Sequence, residues 1–200
     1  MITSINQLDP ENHYTYGDYI LWKFQERVEL LKGRLFPMAA PNVQHQRISS
    51  YLHTTLGMFL LNQKCDLFSA PFDVRLPLPT QHQTIDKIDT VIQPDLCVIC
   101  DEKKLDKQGC IGAPDLVVEI LSPGNSKKEM KFKLDLYEEA GVLEYWIIDP
   151  THQVAHFYYL NADSQKFTAA RPLVDDDILK SIVLEGFELD LGKIFPKETE

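Results

Sequence analysis

Glu119 lies in the middle of an apolar run, VVEIL, where an unpartnered carboxylate is strongly disfavoured. A divalent cation would offset that cost; so would a buried arginine or lysine, and an edge strand turned to water would remove the conflict. Asp95 repeats the pattern at the head of a second apolar run, QPDLCVIC, although Pro-Asp is also ordinary turn chemistry at the start of a strand. Two carboxylates brought together by neighbouring buried strands make a shared oxygen site of the kind that Mg2+ or Mn2+ takes. Asp115 is nearer to Glu119 in sequence but is excluded as the second ligand. Four residues span roughly 13 Å along a strand, whereas a neighbouring strand is roughly 5 Å away.

Metal-assisted attack of water on a phosphodiester also needs a cation that holds the phosphate and stabilises developing charge. In the helix expected after Glu119, the residues Met130, Leu134 and Tyr137 mark the apolar face, and Lys133 shares it. A lysine on an inward stripe either reaches the carboxylates or snorkels along apolar surface. Lys131 is the second candidate, while Lys127 and Lys128 read as solvated or as phosphate contacts near the helix start.

Several elements must position these groups. TYGDYILWKFQER has the spacing of an amphipathic helix. VELLKGRLFPM predicts two short strands joined at Lys32-Gly33. A long helix follows Pro41-Asn42, with Ile48, Tyr51, Leu52, Thr55 and Phe59 on its buried stripe. DLFSAPFDVRLPL and TVIQPDLCVIC read as strands; the unbroken LCVIC suits a central strand buried on both faces. A charged loop, DEKKLDKQGCIGA, leads into the strand PDLVVEIL. The helix after it is capped by Asn125 or Ser126 with Glu129 completing a capping box, and Gly141 stops it. EYWIIDP and VAHFYYL then form a hairpin, and the tail supplies one or two peripheral strands and a short last helix. The pattern is an α/β (α+β) domain, a mixed β-sheet flanked by helices.

The 200 residues, 44% hydrophobic and 25% charged, contain no repeat or linker and are expected to fold as a single domain over residues 1–200. No leader or apolar stretch of membrane-spanning length is apparent, so a cytoplasmic protein with no membrane partner is expected. Cys65, Cys97, Cys100 and Cys110 accordingly read as reduced thiols, and Cys97-x-x-Cys100 within a strand points its sulfurs to opposite faces. The formal charge of −10 excludes a protein that coats nucleic acid through a general basic surface; contacts with nucleic acid must be local.

The block PDLVVEILSPGNSKKEMKFKLDLYEEAGVLEYWIIDP, with QPDLCVI before it and VELLKGRLFPM and HQR near the start, resembles the bacterial restriction endonuclease-like family within the PD-(D/E)XK nuclease superfamily. The resemblance covers roughly residue 15 to the end. It implies a restriction endonuclease-like core in which Asp95 and Glu119 ligate Mg2+ (or Mn2+), with DNA, or secondarily RNA, as the substrate. Leu121 stands where the superfamily pattern places its lysine, and Lys133 lies in the following helix, to which such lysines can migrate. Glu29 matches an additional acidic residue, a metal ligand or hydrogen-bond acceptor, unless it is merely an exposed strand residue. His45 and Gln46 match a His-Gln pair at the start of the long helix, where capping competes with substrate contact as their role. A nuclease fold that binds DNA or a protein partner without cleaving is the alternative function. A homodimer is expected by analogy with enzymes that cut two strands.

Overall fold

The computed structural model describes residues 2–78, 84–122 and 127–195. In chain order the helices are α1 (Tyr16–Tyr19), α2 (Val43–Leu60) and α3 (Lys127–Ala140). The strands are β1 (Val28–Leu31), β2 (Arg34–Pro37), β3 (Asp66–Ser69), β4 (Asp73–Arg75), β5 (Val91–Ile92), β6 (Leu96–Ile99), β7 (Leu105–Asp106), β8 (Gly109–Ile111), β9 (Leu116–Ile120), β10 (Glu144–Asp149), β11 (Val154–Asn161), β12 (Lys166–Ala169), β13 (Ile178–Lys180) and β14 (Glu188–Asp190).

A central mixed sheet has the order β12-β11-β10-β9-β6-β3, with β9 and β10 parallel and the remaining neighbours antiparallel. Its strands β6, β9 and most of β10 are buried throughout, as their unbroken apolar runs predict. One face packs on α2 through Ile48, Leu52, Leu56 and Leu60, joined by Leu189 and Phe195 from the tail. Against the other face lie Leu136 and Tyr137 of α3 and residues of a second six-stranded sheet, ordered β2-β1-β5-β4-β8-β7. The mixed α+β architecture therefore matches the sequence pattern, with the second six-stranded sheet and the small antiparallel β13–β14 pair standing beside the one sheet read from it.

That second sheet arises because two of the expected strands are broken. Pro71 separates β3 from β4, and Pro94 separates β5 from β6; neither proline has an N–H to give to a ladder, and each break sends the two halves to different sheets. The charged stretch expected as a loop forms the antiparallel β7–β8 pair, which Arg75 holds by hydrogen bonds to the Asp106 carboxylate and the Cys110 carbonyl.

The β1–β2 turn is as expected: Lys32 and Gly33 both have positive φ, 48° and 76°. The helix expected from residue 15 shortens to α1, because Tyr16, Tyr19, Trp22 and Phe24 gather in an aromatic cluster while Ile20 and Leu21 are left exposed. Gly141 ends α3 at φ 85°, whereas the cap assigned to Asn125 or Ser126 lies outside the described residues.

The expectation of four free thiols is corrected at one pair. Cys65 and Cys100 are joined by a disulfide, while Cys97 and Cys110 are free and buried. Continuing the β3–β6 register, in which Asp66 faces Ile99, sets Cys65 opposite Cys100, a proximity that spacing in sequence does not reveal. Among the described residues, no helix is long and apolar enough to cross a membrane.

Candidate active site

Strand β9 alternates its side chains between the α2 and α3 layers, which puts Glu119 on the α3 side with Val117. Strand β6 pairs antiparallel with β9 in the register Leu96 to Val118, so one step further Asp95 stands opposite Glu119. Asp95 Oδ2 accepts the Ile120 N–H at 2.8 Å and lies 3.1 Å from His45 Nε2. This anchors the aspartate across the strand pair and against α2. Asp115 sits at the opposite end of β9, where it accepts the Cys100 N–H, consistent with its exclusion as a second ligand.

Lys133 projects from α3 into the space between the two sheets. Its Nζ is 2.9 Å from Glu119 Oε1 and 3.0 and 3.1 Å from the two oxygens of Glu29. Glu29 comes from β1 of the second sheet and also accepts the Gln93 N–H at 3.0 Å. All three charges are buried: Glu29 is 3% exposed, Lys133 8% and Glu119 9%. Lys133 thus bridges two carboxylates instead of snorkelling, and Glu29 is not an exposed strand residue. Lys131, by contrast, is exposed.

Burial pushes the Glu119 carboxyl up to about 7, against the pull of Lys133 and with Asp95 and Glu29 adding to the rise. One ammonium shared by two carboxylates leaves an excess negative charge, so burial prevails at Glu119. For Lys133 burial opposes the charge, but Glu119 and Glu29 more than offset it and hold the ammonium well above the ordinary lysine range. Lys133 is therefore a fixed cation at neutral pH. At His45 burial likewise disfavours the charge, and the Asp95 carboxylate outweighs it, raising the pKa.

Three contributors escape a reading of motifs. Tyr137, expected only as core, donates its hydroxyl to Glu119 Oε1 at 2.6 Å. Gln93 gives its backbone N–H to Glu29 while its side-chain carbonyl holds Arg27 through Nε and Nη2, at 3.0 and 2.8 Å. The sequence signal for Gln93 was a polar residue between the apolar pairs of β5 and β6. Asn42 caps α2 by accepting the His45 N–H at 2.8 Å, leaving the His45 ring free to meet Asp95.

Glu144 shows what a purely structural buried carboxylate looks like in this fold. It is fully buried, yet both its oxygens are satisfied: Trp146 Nε1 donates to one, and Ser181 together with the Ile182 and Val183 amides donates to the other. At Glu119 the donors converge on Oε1, and no described residue donates to Oε2. Asp95 Oδ1 is likewise without a donor among the described residues. Two carboxylates opposite each other in the strand register and close enough to interact electrostatically, each with an open oxygen, fit Mg2+, which takes one or two protein carboxylates and fills its remaining positions with water or substrate oxygen. Among the described residues, no third acidic or imidazole ligand completes a cluster.

Residues 18–192 match the family described as putative restriction endonuclease, Uma2, and the chain belongs to that family. It is 27% identical over 177 residues to the uncharacterized protein slr1290 of Synechocystis, covering 87% of this chain and 88% of that protein. A second uncharacterized Synechocystis protein, sll1609, is 26% identical over 136 residues, covering 66% of this chain and 72% of its own length. The fold matches a crystal structure from Anabaena variabilis described as a putative nuclease belonging to DUF820, at a TM-score of 0.69 and 19% identity, over 90% of this chain and 97% of that one. The neighbour shows the shared fold, and the family's description supports a nuclease-like function.

Proposed function

We propose that this chain is a Mg2+-dependent endonuclease that hydrolyses phosphodiester bonds in DNA, with Asp95 and Glu119 as metal ligands and Lys133 and Glu29 completing the catalytic group. The observation that carries the reading is the contrast between Glu119 and Glu144: the same residue type is buried in both places, but only Glu119 keeps an oxygen open and stands opposite a second acidic residue in the strand register.

A bound Mg2+ would activate water and polarise the phosphoryl oxygens. The chain's own groups do the rest. His45 and the Ile120 amide fix the rotamer of Asp95. Tyr137 and Lys133 fix that of Glu119. Lys133, held as a cation, stabilises negative charge that builds up on the phosphoryl group and is unsuited to take a proton from water. Glu29, tied to the Gln93 amide, keeps the ammonium in place.

The alternative is a nuclease fold that binds DNA or a protein partner without cutting, favoured by the net charge of −10 and by Leu121 in the superfamily's lysine position. Calorimetric titration with Mg2+ tests the metal site: heat with wild type and none with Asp95→Ala is expected, and equal heats would remove it. Nicking of supercoiled plasmid by wild type but not by Glu119→Ala then separates enzyme from binder.

A further inference from the structure

Beside Asp95, with Lys133 and Glu119 outside its lining, a cleft of about 330 Å3 runs along the first three turns of α2. Its lining includes His45, Ser49 and His53, which recur every four residues on one helix face, together with Ser50, Arg27 and Asp95. Hydroxyls, imidazoles and a guanidinium meet this space, with Pro41 and Ala70 at its margin.

Two details point to an anionic occupant. Arg27 is held through Nε and Nη2 by the neutral carbonyl of Gln93, and among the described residues it forms no ion pair, in a chain where 30 acidic residues outnumber 20 basic ones. Gln93 also donates to Asp73, so the nearby carboxylate is occupied by the amide. His45, only 6% exposed, borders the same cleft; with Nε2 on the Asp95 carboxylate, its buried Nδ1 is unpartnered among the described residues and donates to an anion when the ring carries both protons. The side chains of Ser49, Ser50 and His53 are likewise without hydrogen bonds among the described residues.

We propose that this cleft seats one nucleotide unit of a single-stranded DNA segment, with Arg27, Ser49, Ser50 and His53 holding the phosphate next to the one cleaved. This rests on the endonuclease reading and specifies its substrate. The volume is at the low end of the roughly 300–1,000 Å3 that small-ligand sites occupy, room for one unit of a strand. A duplex presents phosphates on both strands to a protein carrying a charge of −10, and the cleft supplies only one permanent cation to meet them.

Fluorescence anisotropy with a labelled 12-nucleotide single strand and its duplex, in Ca2+ and with strand integrity checked on a gel, tests the idea. The single strand should bind at least about tenfold more tightly than the duplex, with a log-log salt slope of about −0.7, since one phosphate of a single strand is neutralised. Arg27→Ala should weaken the single strand at least about tenfold, and Arg27→Lys should recover part of the loss. Ser50→Glu, at an exposed helix position where folding is not at stake, should weaken it similarly by like-charge repulsion. Duplex binding as tight as strand binding, or both Arg27→Ala and Ser50→Glu within twofold of wild type, would overturn the proposal. Strand binding that depends on Arg27 and Ser50 without cleavage of that single strand in Mg2+ upholds the cleft and removes the endonuclease reading; cleavage that ignores both residues does the reverse.

Discussion

Replacing Lys133 with methionine keeps an unbranched side chain out to Cε and removes the charged Nζ. In the native protein Nζ lies 2.9 Å from Glu119 and 3.0 Å from Glu29, with all three groups almost wholly buried. Removing one partner of a buried ion pair typically costs roughly 3–5 kcal/mol, because the other charge remains buried and uncompensated. Here two carboxylates would be left facing each other. Tyr137 and the Gln93 amide still donate to them, which puts the expectation near the lower end, about 3 kcal/mol. For a domain of this size that corresponds to a fall of about 10 °C in Tm. Adding Glu119→Gln to Lys133→Met neutralises one of the stranded carboxylates and should restore at least about 1 kcal/mol, a non-additivity that only a direct pairing produces. Urea unfolding in chelator reads the stability, and plasmid nicking at a temperature where both proteins remain folded reads the chemistry. There Lys133→Met should lose about 100-fold or more in rate, the usual effect of deleting one group aimed at developing charge. A stability loss below about 0.5 kcal/mol would show that Lys133 is a snorkelling residue after all. Nicking at the wild-type rate would remove it from the catalytic group.

Tyr137→Phe removes only the hydroxyl that donates to Glu119 Oε1, and unfolding in urea should show a loss of about 1–2 kcal/mol with the core otherwise intact. Glu144 gives a pH signature unrelated to catalysis: burial raises its pKa despite the four donors around it. The folded protein therefore holds this proton more tightly than the unfolded chain, and that stabilisation is full below the ordinary glutamate range and lost as pH rises through the raised value. Urea unfolding of wild type and Glu144→Gln between pH 4 and 7 should show the wild-type advantage shrinking with pH; an advantage that grows would contradict the assignment.

Much of the site is local in origin and so was legible in the chain. A carboxylate inside VVEIL and another heading LCVIC are conflicts between side-chain type and strand burial, visible wherever a run of apolar residues is. Lys133 on the stripe of Met130, Leu134 and Tyr137 is the helical version of the same conflict. The turn at Lys32-Gly33 and the stop at Gly141 follow from backbone conformations that favour glycine, which also need no distant partner.

Other features depend on which strand lies beside which, and periodicity carries no information on that. Glu29 is a member of the site only because β1 joins a second sheet that shares a core with α3 and the first sheet, and the chain passes between the two sheets at Pro71 and Pro94. The Cys65–Cys100 link, Tyr137 as a hydrogen-bond donor to Glu119, and Arg27 held by Gln93 are likewise products of long-range packing. The sequence by itself determined the residue types that cannot rest unpartnered in a core. Tertiary structure decided their partners, because burial sets the need for a counter-charge while only the three-dimensional arrangement of strands and helices supplies one.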